Sequence, residues 1–546
     1  MKKHFFFLLF LIFLGLFAMK TLKGPNFFDG HDSQAHIVRL YQYNLALKDG
    51  QFPPRWAGGL LAGRGYPVFT FAYQLPYAIA ESFYQLGLNL AQSLKLTFVL
   101  SYLFSSIFMY FFASKYWKSR WAGFLSAILW SWAPPIFEKI FIAGALGAVT
   151  SFTFIPLTFL CLYNLIQKPN FKNSLFLSFS TAFWCLSHLL TPIIFSPVLI
   201  IFLILQLKQA KNPKKAFKFL IISGLLAFGL VSWFIIPIIF EMKFTHFKNF
   251  VQHAYQNDFV SLKRLLYSKW GTHPPGFGDN SVSQQVGAAQ WLTIGLTGLF
   301  WLKSKKNILK NKLTPFLITF PLSIFLMLKI SIFIWDLLIP LQNIGTPWRF
   351  LSLAVFTAAV SAGYLIKKIK NKYLLITVYL LLLGLTFYGN RNHLRINEVR
   401  IYDQKFFDNY KGVATGWNEH LPIWIKKMPK DFPKEKVEVI DENCHINNLI
   451  NKSNLQSFTA DCDKSSIIQI NTAYYPGWKI VVNNKNITSQ AKQNLSQSNG
   501  MIQFSLNPGQ HQVIAQFQDT SLRQISKFVS FFTLSLILFL CFKSYL

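Results

Sequence analysis

Asp29, His31, Asp32, His36 and Arg39 crowd into one short stretch, Phe27-Phe28-Asp29-Gly30-His31-Asp32-Ser33-Gln34-Ala35-His36-Ile37-Val38-Arg39. The stretch follows directly on a hydrophobic N-terminal segment. Ionisable side chains at the end of a membrane helix are costly to hold there, so such a cluster reads as a functional site rather than as an ordinary solvated loop. A carboxylate in this setting can act as a general base, and an arginine can grip a phosphate through two parallel hydrogen bonds. Further groups of the same kinds recur along the chain: Arg55, Arg64, Glu138, His188, Glu241, His253, His273, Asp279, and Arg349 within Pro347-Trp348-Arg349-Phe350. His31 and His36 are spaced off the i,i+4 pattern of a helical metal site, which argues against zinc. His188 could bind substrate or simply close a helix end. Arg55 and Arg64 could meet a phosphate or anionic headgroups, and Trp348-Arg349 could be an interfacial anchor.

The elements that must position these groups are mostly membrane helices. The 546 residues are 52% hydrophobic and 17% aromatic but only 14% charged, and apolar runs of about 20 residues recur, the pattern of a polytopic helical membrane protein. Helices are expected near 4–20, 93–113, 121–142, 146–166, 174–189, 192–207, 217–240, 288–303, 314–330, 348–366, 373–389 and 527–545. The first, with Lys2 and Lys3 ahead of it and no convincing cleavage site, reads as an uncleaved membrane helix. A formal charge of +33 would raise nucleic acid as a partner in a soluble protein. Here the lysines cluster between apolar runs, so they read as topology signal and headgroup contact, with no nucleic acid implied.

Lys2/Lys3, Lys115/Lys118/Arg120, Lys168/Lys172, Lys208 to Lys218, Lys303 to Lys312 and Lys367 to Lys372 then share one side. By the positive-inside rule that side, with both termini, is cytoplasmic. Residues 21–92, 241–287 and 390–526 are thereby placed outside, and nearly all mixed carboxylate, histidine and arginine positions fall on that outer face. Residues 66–88, carrying Pro67 and Pro76, are expected to form an interrupted re-entrant or interfacial element.

The chain is thus expected to divide into a membrane domain, 1–389, an extracytoplasmic segment, 390–526, and a final membrane helix, 527–546. Ile468-Gln469-Ile470, Lys479-Ile480-Val481-Val482, Ile502-Gln503-Phe504 and Val513-Ile514-Ala515-Gln516-Phe517 read as strands, with turns at Pro476-Gly477, Asn483-Asn484 and Pro508-Gly509. A β-sandwich is expected there. Tyr474, Tyr475 and Trp478 read as packing residues ahead of a sugar-stacking role. Cys161, Cys185 and Cys541 lie in membrane segments, whereas Cys444 and Cys462 could pair if their segment meets an oxidising compartment.

The stretches Gly30-His31-Asp32, His36, Arg39, Gly50-Gln51-Phe52-Pro53-Pro54-Arg55-Trp56 and Gly63-Arg64-Gly65-Tyr66-Pro67-Val68-Phe69 resemble the first outer loop of YfhO-type membrane proteins, also labelled 6-pyruvoyl-tetrahydropterin synthase-related. Ser187-His188, Pro347-Trp348-Arg349-Phe350-Leu351, Tyr474-Tyr475-Pro476-Gly477-Trp478-Lys479 and Pro508-Gly509-Gln510-His511 extend the resemblance almost end to end, and Glu419-His420-Leu421-Pro422 adds a family-like segment. No residue here points to pterin chemistry. The family is similar in turn to the GT-C glycosyltransferases, which implies a catalytic carboxylate in the first outer loop and a polyprenyl-phosphate-linked sugar as donor. By position that carboxylate is Asp32, with Asp29 in reserve. His31, His36, Arg55, Arg64, His188 and Arg349 are then expected to contact substrate. A second acidic residue, frequent in that superfamily, is missing from Ala143-Gly144-Ala145-Leu146-Gly147-Ala148, and Glu138 is the nearest candidate ligand should a divalent metal be used.

The sequence therefore leads to an inverting membrane glycosyltransferase acting at the lipid bilayer's outer face on a cell-envelope acceptor. Its rivals are a lipid-linked-glycan flippase, which would need ionisable groups near the midplane, and a membrane-anchored binding protein without catalysis.

Overall fold

The computed structural model describes residues 4–251, 254–274, 280–303, 311–416 and 418–543. Helices occupy the stretches expected to be helical, with a break inside 121–142. Seven of the described helices are long and apolar enough to cross a membrane: Leu90–Trp117, Leu146–Gln167, Leu190–Lys208, Pro213–Phe244, Pro347–Lys368, Lys372–Asn390 and Ser521–Phe542. An eighth is possible only if Thr314–Met327 and Lys329–Leu337, bent by 91° against each other, count as one broken span. Phe5–Ala18 and Ala288–Leu302 are apolar but shorter. Residues 66–88 hold two pieces, Val68–Phe71 and Leu75–Gln85. The longer piece extends about 16 Å at 1.5 Å per residue, about half the depth of a bilayer core.

The expectation of one continuous helix over 121–142 needs correction. The helix Arg120–Ser131 stops before Ala133-Pro134-Pro135, a short turn covers Pro134–Phe137, and Glu138–Ile142 winds as a π-helix. Proline has no N–H to donate and its ring clashes with the preceding turn, so the two prolines break the helix just where apolar content alone would continue it. Pi-turns of this kind are common at functional positions.

Two compact units divide the chain. The first contains Met1–Ser33, Ala78–Val231 and Gln252–Ile401. Its centre packs Leu90–Trp117 against Leu146–Gln167 and Arg120–Ser131, with Leu351–Lys368 closing over the last. Water cannot drive helices together inside a bilayer, so close approach and hydrogen bonds must do so. Ala354, Ala358, Ala359 and Ala362 are fully buried on Leu351–Lys368. Trp117 donates its indole N–H to Val360 O at 2.8 Å, and Trp130 donates to Ser105 Oγ at 2.7 Å. Strand β1 (Phe27–Phe28) pairs antiparallel with β2 (Val399–Arg400) in this unit.

The second unit contains Gln34–Tyr77, Ser232–Val251 and Tyr402–Leu546. Its strands are β3 (Val437–Val439), β4 (Cys444–Lys452), β5 (Leu455–Cys462), β6 (Ser466–Ala473), β7 (Trp478–Val482), β8 (Lys485–Asn486), β9 (Met501–Leu506) and β10 (Gly509–Phe517). They form a five-stranded sheet in the order β4-β5-β10-β7-β8 and a three-stranded sheet in the order β3-β6-β9. Alternation buries Gln456, Phe458, Ala460 and Cys462 on β5, and Val513, Ala515 and Phe517 on β10. The β7–β8 turn places Asn483 and Asn484 at positive φ, a conformation asparagine tolerates. Cys444 and Cys462 face each other across β4 and β5 and are joined as a disulfide, with Cα atoms 4.0 Å apart. Trp56, fully buried, sits among Tyr475, Trp478 and Phe517 with ring centroids 5.3–6.3 Å away.

Candidate functional site

Asp32 is positioned by main chain. The N–H groups of His31 and Asp32 donate to Ile142 O at 3.0 Å and Ala143 O at 2.9 Å, where the π-turn ends. Gly30 N–H donates to Ser33 Oγ at 2.9 Å, closing the turn that leads into the helix Ser33–Lys48. Gly144 lies against this turn at φ +63°, and a Cβ there would come within 2.8 Å of Ser33 Oγ, so the seam admits no side chain. Asp32 and His31 remain exposed, and His31 Nε2 lies 2.7 Å from Thr272 O.

Lys139 links this turn to the other groups. Its Nζ pairs with Glu138 Oε2 at 3.0 Å and lies 3.7 Å from the ring centroid of Trp348. It also lies in the electrostatic reach of the Asp32 carboxylate and the Arg349 guanidinium. Arg349 and Lys139 in turn both act on His188, which terminates the helix Phe171–Ser187. Arg349 donates to Ile344 O at 2.5 Å, which fixes the base of its side chain's fan. Asp258 completes the group: burial raises its carboxyl above the usual range, and Arg349 opposes that shift. Glu138 is 2% exposed, and among the described residues its Oε1 has no hydrogen-bond partner, nor has the Trp348 indole N–H. The result is an exposed carboxylate within the electrostatic reach of Lys139, a cation that shares its field with Arg349, and both cations are only partly buried. Such an arrangement can take a proton from a hydroxyl while neutralising charge that appears on a phosphate.

Of the residues singled out in the sequence, Asp32, Glu138, His188 and Arg349 gather around Lys139. Asp29 is engaged otherwise, pairing through Oδ2 with Arg400 at 2.8 Å while its N–H donates to Glu398 O. His36, Arg55 and Arg64 belong to the second unit. His36 is buried with Nδ1 2.7 Å from Tyr77 Oη, and its imidazole is held well below its usual pKa, first by burial and then by Arg39. Arg55, expected to meet a phosphate, is 2% exposed and pairs with Asp519 at 3.2 Å while donating to Trp233 O. Arg64 donates to Asp431 O at 2.6 Å. His253 and Asp279 lie outside the described residues. Among the described residues no group of three His, Cys, Asp or Glu is placed to hold a metal ion, and Glu138, the candidate ligand, pairs one carboxylate oxygen with Lys139. Sequence reasoning missed Lys139 and Asp258. Lysines had been read as markers of the inner face, yet Lys139 stands alone at the opposite end of its predicted helix from Arg120, and that isolation was its signal.

The chain matches a protein-family model described as 6-pyruvoyl-tetrahydropterin synthase related domain, membrane protein, over residues 70–391, the larger part of its length. It is 25% identical over 249 residues to an uncharacterized protein of Lactococcus lactis subsp. cremoris strain MG1363, a match covering 44% of this chain and 41% of that one. Among solved structures it is similar to the arabinofuranosyltransferase AftD from mycobacteria, at 12% identity and a TM-score of 0.48, over 72% of this chain and 27% of the other. The chain therefore spans less than half the length of either protein. The family assignment agrees with the motifs read from the sequence and with the run of apolar helices: this chain belongs to the 6-pyruvoyl-tetrahydropterin synthase-related membrane proteins.

Proposed function

We propose that this protein is a membrane glycosyltransferase of the GT-C type, and that the cluster around Lys139 is its reaction centre. The observation that carries this reading is the placement of Lys139 between Glu138 and Trp348, within reach of both the exposed Asp32 and Arg349. In the proposed reaction the Asp32 carboxylate takes the proton of an acceptor hydroxyl. That oxygen forms a bond to the anomeric carbon as the bond from that carbon to the donor's phosphate oxygen breaks. The phosphate leaves with the electron pair, and Lys139 and Arg349 neutralise its charge. A single displacement of this kind inverts the anomeric centre.

The donor in this reading is a polyprenyl-phosphate-linked sugar, the acceptor a cell-envelope hydroxyl, and the cluster faces outward with both termini inside. Asp258 replaces Asp29 as the reserve base, because Arg400 holds Asp29 whereas Asp258 shares Arg349 with the cluster. The test is donor consumption by purified, lipid-reconstituted protein given a panel of polyprenyl-phosphate sugars, with and without envelope extract as acceptor. Turnover that is present in the wild type and lost in Asp32→Asn, with the fold intact, supports the reading. Equal turnover in both moves the base to Asp258, and Asp258→Asn decides that point.

A further inference from the structure

Within the segment Tyr474-Tyr475-Pro476-Gly477-Trp478-Lys479, which stands outside the proposed reaction centre, all but Tyr475 line a cavity of about 690 Å³ that lies wholly within the second unit. The segment joins β6 to β7. Facing it across the cavity are Phe244, Trp424 and the helix Thr488–Gln493. The rings of Phe244 and Trp424 lie nearly parallel, 18° apart at 6.0 Å, and Trp424 meets Tyr474 edge-on at 5.1 Å. Trp478 packs inward on Trp56 and Phe517 and forms a back wall, whereas Phe244 and Trp424 are only half-buried and offer ring surface.

The remaining lining is polar. Asn486 and Gln518 present exposed amides, and Lys479 and Lys492 present exposed ammonium groups. Lys492 Nζ lies 5.9 Å from the Tyr474 ring centroid. The single carboxylate in the wall, Asp519, is already paired with Arg55 at 3.2 Å and Lys527 at 2.5 Å, so the cavity's own charge is positive. Phe244 ends one membrane-length apolar helix and Ser521 begins another, which sets the cavity at the polar ends of two spans.

Each feature selects a ligand. Half-buried aromatic faces suit the apolar face of a sugar ring, amides suit its hydroxyls, and two ammonium groups in the wall suit an anionic substituent. An acyl chain would leave the lysines and amides unused, and inorganic phosphate would leave the rings unused. We propose that this cavity binds an acidic glycan, a saccharide bearing phosphate or carboxylate, at the membrane surface.

The test uses the full-length protein in neutral phosphatidylcholine nanodiscs, titrated with a phosphodiester-linked hexose oligomer, the matching neutral oligomer and inorganic phosphate, and read by calorimetry. The acidic oligomer is expected to bind about tenfold more tightly than the neutral one, with a salt dependence the neutral one lacks. Trp424→Ala is expected to weaken binding about tenfold and Trp424→Phe to restore most of it. Lys492→Gln is expected to weaken it about threefold and flatten the salt dependence. Asp32→Asn is expected to bind as the wild type does, so this site and the transfer reaction fail or stand separately. Unchanged affinity in a folded Trp424→Ala, no binding by the wild type, or displacement of the oligomer by an equal concentration of inorganic phosphate would each overturn the proposal.

Discussion

Arg523 and Arg349 both keep company with carboxylates, and they do so in opposite ways. In the second unit Arg523 is fully buried and grips Glu241 with two bonds, Nε to Oε1 at 2.8 Å and Nη2 to Oε2 at 2.7 Å. Tyr475 Oη adds a third contact to the same carboxylate at 3.2 Å, and Arg523 also donates to Pro476 O. In the first unit Arg349 is half-buried and shares its field among Lys139, His188 and Asp258, while Asp32 stands exposed. The first arrangement closes its charges on one another and ties helix Pro213–Glu241 to the start of the last helix. The second spreads its charges; among the described residues each keeps a buried polar atom without a hydrogen bond, Arg523 Nη1 in the first and Glu138 Oε1 in the second. On the proposed reading, then, pairing alone does not mark the reaction centre; what sets it apart is pairing that stops short of enclosure.

The comparison can be broken most forcefully at Arg523. Arg523→Ala leaves a buried Glu241 uncompensated and should lower stability by about 3–5 kcal/mol, read as a fall in the thermal midpoint of the detergent-solubilised protein. The double variant Arg523→Met with Glu241→Met should recover most of that loss, since it removes both charges from the apolar site. If the single variant melts with the wild type, the closed pair has no structural weight. Asp32→Asn should do the reverse. It should leave the thermal midpoint in place and cut donor turnover by about 10²–10⁴-fold.

Acid should separate the two regions further. His420, in the second unit, stacks on Phe71 at 4.5 Å, and burial holds its imidazole down at about 4, with Glu419 opposing the shift and Arg39 adding to it. Its unfolded counterpart binds a proton near 6.5. Between those values the unfolded chain holds more protons, so stability present above pH 6.5 is lost as pH falls toward 4, by up to about 3 kcal/mol. A thermal midpoint measured across that window should drop less in His420→Phe; an unchanged slope would show that other groups carry the acid sensitivity. The smallest change is expected from a charge removed at the middle of the cluster. Lys139→Gln keeps much of the side chain's reach but removes its charge, and about tenfold of donor turnover should go with it while Asp32→Asn remains the deeper lesion.

These differences explain what could be read from the chain in advance. Apolar runs of membrane length announce helices whatever they pack against, so Leu90–Trp117 and Pro213–Glu241 fall where expected. Strands β6, β7, β9 and β10 bury alternate residues and were legible for that reason. Strand β4 was not, because most of Cys444–Lys452 is exposed and carries little apolar alternation. The candidate site was half legible. Asp32 and Arg349 belong to motifs, but the first loop divides at Ser33 between two compact units, and no local pattern marks that break. Arg55 looked like a ligand because its partner, Asp519, lies almost at the other end of the chain. Charge type is written in the sequence; which charges are already satisfied depends on contacts made at long range.

The π-turn at Glu138–Ile142 bears on how this protein can vary. The carbonyls that hold His31 and Asp32 belong to the main chain of Ile142 and Ala143, and any amino acid supplies a carbonyl. Side chains at those two positions could therefore drift without moving Asp32, and the anchor would leave no residue signature for a reader of related chains. Chain length is another matter. Removing a single residue from the turn would rotate both carbonyls by roughly 100° about the helix axis, so insertions and deletions between Pro135 and Leu146, together with any side chain at Gly144, are the changes this segment is built to refuse.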